Sequence, residues 1–97
     1  MTSMSTLIEL DSNAGCTLNN LSDMKGALML LDNLIEDMED NPEVAASYLA
    51  EGIISKKLSA IRVVFRSCLE DSQDEMVTAQ RHIRQLTQAQ EDNGREV

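Results

Sequence analysis

The side chains able to do chemistry in this sequence are few and far apart. There is one histidine, His82, and there are two cysteines, Cys16 and Cys68. Together they do not make a zinc site without further ligands, because structural zinc takes four. A Cys–His nucleophile pair between Cys68 and His82 needs hydrogen-bond contact. Fourteen residues separate them, which on a continuous helix is about 20 Å. The Glu-x-x-His ligand pair of di-iron bundles would need an acid three residues before His82, where Ala79 stands. The acidic run Glu36-Asp37-Met38-Glu39-Asp40 lacks the alternating ligands and central glycine of a calcium loop. Gly26 and Gly52 fall inside helical patterns and build no phosphate-binding turn. They are read as points of close helix contact or as tolerated glycines. No catalytic, metal-binding or cofactor-binding residue is assigned, and the chain is read as non-enzymatic and without a cofactor.

What the residues do carry is helical patterning. Leu21, Met24, Leu28, Leu31, Ile35 and Met38 are spaced three, four, three, four, three, with Ala27 and Leu34 broadening the stripe. That is the seam of an amphipathic helix, of the coiled-coil kind, built to press along another helix. This spacing predicts a helix over about 20–40, capped by Asn19 or Asn20, with Asp23 in its first turn. Asn41-Pro42 ends it and opens the next helix, because proline disfavours helical geometry before it and suits the first helical position. One dipeptide acting as stop and start predicts an antiparallel helical hairpin.

The second helix is expected over about 42–70, with Ala50, Ile54, Leu58, Ile61, Phe65 and Cys68 along its face. A C-terminal helix over about 73–90 follows, carrying Met76, Ala79, Ile83 and Leu86. Two readings of the junction stay open. Ser72 and Glu75 fit a capping box, which favours a break near Asp71 and a helix folded back. Alternatively the helix is continuous, since the eleven residues from Phe65 to Met76 return to nearly the same face. Residues 1–18 are rich in Ser, Thr and Asn and are expected to be a mobile polar leader. The single helical domain is placed at 19–90, with a frayed tail at 91–97.

Composition sets the remaining bounds. The 97 residues fit one small domain, 42% of them hydrophobic, with one Phe, one Tyr, no Trp and six Met. So little aromatic area leaves an isolated helical unit marginal, and completion as a dimeric helical bundle is expected. The net charge of -9 opposes nonspecific attraction to nucleic acid or anionic membranes. No long apolar run provides a transmembrane helix, and the first twenty residues show no secretory signal. The cysteines are read as free thiols and the protein as cytoplasmic.

Charge is unevenly placed. Asp32, Glu36, Asp37, Glu39, Asp40 and Glu43 crowd the hairpin tip, and Lys56, Lys57, Arg62 and Arg66 lie further on. Folded about Asn41, the two groups do not meet within one hairpin. Two hairpins packed antiparallel would bring them together, or both are simply solvated faces. The functional expectation is a small acidic helical interaction module, a homodimer that docks its helical faces on a protein partner. The alternative is an acidic inhibitor that competes with nucleic acid for a basic protein, using the tip as its partner-facing patch. Direct nucleic-acid binding through the basic group lacks aromatic interleaving and a recognition-helix motif.

Overall fold

The computed structural model describes residues 2–95, and every element among them is an α-helix. The helices are α1, Thr2–Asp40; α2, Pro42–Ala50; and α3, Ile53–Arg95. The all-α class read from the sequence is the class observed. Three boundaries within the chain differ from expectation, as does the C-terminal end of the last helix.

The first concerns residues 1–18. In place of a polar leader followed by a cap at Asn19 or Asn20, the chain is helical from Thr2 onward, with Met1 outside the described residues. Thr6, Leu10, Asn13, Thr17 and Asn20 recur at spacings of four, three, four and three, and all are at least half-buried. Polar residues of this kind favour turns in isolation, but a packed helix face overrides that weak preference. Thr17 also satisfies its hydroxyl inside the helix, donating to the Asn13 carbonyl at 2.9 Å.

The second lies at Glu51–Gly52, where the helix expected over 42–70 is interrupted. Gly52 has φ 79°, a left-handed conformation that costs glycine least. The Glu51 N–H donates to the Ser47 carbonyl at 3.0 Å and the Gly52 N–H to that of Leu49 at 3.1 Å. Those bonds close the last turn of α2 before an αL glycine. Gly52 is therefore a helix stop rather than an interior glycine. At the preceding junction Asn41, Pro42 and Glu43 take the positions expected of them. The Asn41 side chain makes no capping hydrogen bond, however.

The third is the absence of a break near Asp71, since α3 runs unbroken through it. The continuous reading holds. Ser72 and Glu75 do not cap a helix; both turn into the packed face, Glu75 to meet Asn13. Residues 91–95, expected as part of a frayed tail, are helical, and residues 96–97 lie outside the described residues.

The chain divides into two compact units, Met1–Asn20 with Glu70–Val97 and Leu21–Leu69, called here the terminal and central units. In the terminal unit α1 and α3 run antiparallel: Glu9 and Asn13 reach His82, Asn13 also reaches Glu75, and Asn20 reaches Asp71. The inward positions of α3 there are Ser72, Glu75, Ala79, His82 and Leu86. In the central unit the inward positions are Met24, Ala27, Leu31 and Leu34 of α1, Ala45 of α2, and Ile54, Ile61, Phe65 and Cys68 of α3.

The packing face of α1 is thus turned from the expected one. Met24 and Leu31 lie on it, while Leu21, Leu28, Ile35 and Met38 are exposed and Ala27 and Leu34 take their place. Apolar residues cover more of this helix than one neighbour can bury, and the neighbour sits over one margin of the stripe. On α3, Ile54, Ile61, Phe65 and Leu86 are inward as expected. Leu58, Met76 and Ile83 are exposed, the last two displaced by Glu75 and His82. Among the described residues no helix is long and apolar enough to cross a membrane.

Candidate functional site

The terminal unit holds a polar cluster where a helix pair usually holds aliphatics. Asn13, only 8% exposed, sits one turn from Glu9 on α1. Its Nδ2 donates to Glu75 Oε2 at 2.6 Å, which turns its Oδ1 toward His82 Nδ1, 3.3 Å away. The other ring nitrogen, Nε2, lies 2.8 Å from Glu9 Oε2. An amide oxygen and a carboxylate both accept, so each contact asks for a hydrogen on the nitrogen it uses. Both are made together only by the imidazolium form; the neutral ring makes one of them. Further along, Asn20 Nδ2 donates to Asp71 Oδ2 at 2.7 Å. Beside this cluster Ser72 Oγ is buried without a hydrogen-bond partner.

The central unit presents space instead. An open groove of about 750 Å³ runs between α1 and α3, floored by Gly26, Ala27, Ala60 and Ile61 and flanked by Leu30, Leu34 and Val64. Asp23, Asp37 and Lys57 also line it. A smaller cavity of about 210 Å³ lies among Leu34, Met38, Ala45, Tyr48 and Ile54, and it too is lined by Asp37 and Lys57. The groove lies on the side of α1 that precedes the packed positions, marked by Asp23, Leu30 and Asp37. On the opposite flank, directly after packed positions, Leu21, Leu28 and Ile35 are 52%, 47% and 45% exposed.

The charged residues fall partly as expected. Asp32, Glu36, Asp37, Glu39, Asp40 and Glu43 are all exposed, as are Lys56, Lys57, Arg62 and Arg66. The expectation that acidic and basic groups stay apart within one hairpin is corrected, because Asp37 and Lys57 line the same cavities. The reason is α2. A chain reversal through a nine-residue helix moves the pivot past Asn41, which carries Lys57 down to the level of Leu34 and Asp37.

Both cysteines are free, Cys68 buried and Cys16 half-buried. Among the described residues no group of three or more His, Cys, Asp or Glu side chains is placed to hold a metal ion. The apolar-seam reading missed Asn13, Glu75 and the role of His82, since it sought aliphatic residues alone. A signal was present: Asn13 and Asn20, and separately Cys68, Glu75 and His82, recur every seven residues in phase with the packed positions. Compared with protein-family models, curated proteins and solved structures, the chain matches none.

Proposed function

We propose that this chain is a small, non-enzymatic interaction module that docks an amphipathic helix of a protein partner along the exposed flank of α1. The observation that carries this reading is the Leu21, Leu28, Ile35 row. These three aliphatic side chains repeat every seven residues, about half-exposed, directly beside a packed face. A third helix laid alongside would cover them with the spacing that helix pairs use. The groups with chemical potential are otherwise engaged. Both ring nitrogens of His82 face structural partners, and Cys68 is part of the packed face of α3, where a thiol behaves as a small hydrophobe.

The test is affinity capture on immobilised full-length chain at low and high salt, with the native sequence and a Leu28→Glu variant in parallel. The expected result is a partner retained at high salt by the native chain and lost from the variant, since apolar docking is insensitive to screening. Capture that collapses with salt, survives Leu28→Glu and disappears when Glu36, Asp37 and Glu39 become neutral amides would overturn this reading. It would favour the acidic competitor of nucleic acid instead.

A further inference from the structure

We propose that α2 is a gate on the central unit, opening alone between Asn41 and Gly52 while α1 and α3 stay paired, and so uncovering Leu34 and Ile54. The proposal concerns the chain's own motion and does not rest on the partner-docking reading.

Little holds α2 in place. None of its nine residues is buried, and Ala45 alone is half-buried. Its larger apolar side chains stand largely in solvent, with Val44, Tyr48 and Leu49 48%, 43% and 57% exposed. Among the described residues no side-chain hydrogen bond or ion pair ties α2 to α1 or α3. Beneath it lies the cavity of about 210 Å³ lined by Leu34, Met38, Ala45, Tyr48 and Ile54. A void there forfeits the dispersion contacts by which packed helices hold one another.

The pair that α2 bridges is held better. Ala27 of α1 and Ile54 and Ile61 of α3 are only 4%, 3% and 8% exposed. Segments that differ this much in burial open separately, the poorly buried one at the lower free-energy cost.

The backbone allows that separation. A helix of nine residues is marginal by itself, since isolated helices shorter than about 12 residues seldom persist in water. Each end of α2 is a hinge. Asn41 has φ -134° and ψ 67° and supplies no side-chain cap, and Gly52 has φ 79°. Pro42 has no N–H with which to continue the hydrogen-bond ladder of α1. The Gly52 N–H bonds to Leu49, inside the last turn of α2 itself. The helix can therefore open without breaking the ladder of either neighbour. Ile54, buried while α2 is shut, then adds to the apolar surface that the central unit offers.

The experiment is hydrogen exchange of the full chain under native conditions, followed by mass spectrometry. Amides of residues 45–50 are expected to exchange at least about a hundredfold faster than those of 27–34 and 57–64. Ala45→Leu, which fills the cavity beneath α2, is expected to slow 45–50 by about fivefold. Gly52→Ala, strained at positive φ, is expected to speed them by about fivefold. In both variants 57–64 should exchange as in the native chain. Native residues 45–50 exchanging no faster than 27–34 and 57–64 would overturn the proposal, and so would variants that shift all three segments together. The native measurement decides the matter even if either variant fails to fold.

Discussion

In the central unit the inward positions are Met24, Ala27, Leu31 and Leu34 on α1 and Ile54, Ile61, Phe65 and Cys68 on α3; in the terminal unit Thr6, Asn13, Thr17 and Asn20 on α1 and Ser72, Glu75 and His82 on α3 stand inward among Leu10, Ala79 and Leu86. The same two helices and the same seven-residue spacing serve both. The apolar face gains free energy from burial, which is large but indifferent to partner identity. Slide one helix by a full seven residues and an aliphatic side chain still meets an aliphatic. The polar face gains little net free energy per hydrogen bond, yet it tolerates no slip, because each misplaced partner leaves a buried group unsatisfied. Asn13 makes the difference concrete: moved by one repeat, it loses Glu75 and His82 together. The central unit supplies cohesion, and the terminal unit supplies register.

Four variants press on that contrast. The largest effect belongs to the apolar face. Ile61→Asp places an unpaired charge at an 8% exposed position, at a cost of about 3–5 kcal/mol, comparable with breaking a buried ion pair. For a chain with so modest a core the expected result is loss of most helical circular dichroism at 25 °C. A cooperative melt close to that of the native chain would show that Ile61 does not bear the cohesion assigned to it.

A smaller loss is expected from Asn13→Ala, about 1–3 kcal/mol, since Glu75 and His82 each lose a partner while only a short side chain is removed. The sharper comparison replaces Asn13, Glu75 and His82 together by leucine. That variant should match or exceed native thermal stability while relaxing register. Spin-label distances between α1 and α3 within the terminal unit would then broaden, where the native chain is expected to give one narrow distribution. A narrow distribution in the all-leucine variant would assign register to some other feature.

The smallest effect has the opposite sign. Ser72→Ala removes a buried hydroxyl that has no partner and substitutes a better helix former. It should stabilise by up to about 1 kcal/mol, read as a raised melting temperature. A lowered one would mean the hydroxyl has a role in the polar face after all.

Much of the fold was legible from residue types. Pro42 marked a helix start because proline fixes φ and lacks an N–H, whatever surrounds it. Ile54, Ile61, Phe65 and Cys68 marked an inward face because their spacing and hydrophobicity agreed. The candidate surfaces were less legible. Leu21, Leu28 and Ile35 were visible as apolar, but the stripe they share with Ala27 and Leu34 is wider than one helix covers. Which margin is packed depends on the neighbour. Asn13 fell in the expected polar leader, and Ser72 with Glu75 looked like a cap. Only a facing helix turns such residues inward.

The sequence by itself determined the all-helical class, the stop and start at Asn41-Pro42, and an apolar surplus along α1. These follow from local backbone preference and from periodicity, which act over a few residues. The tertiary structure alone decided where α1 begins, that Gly52 and not Asp71 interrupts the later helix, and which margin of the α1 stripe faces inward. It also decided that His82, Asn13 and Glu75 meet across sixty or more residues of chain. Such outcomes depend on what one helix offers another, and polar side chains are held inward only when both halves of each hydrogen bond arrive together.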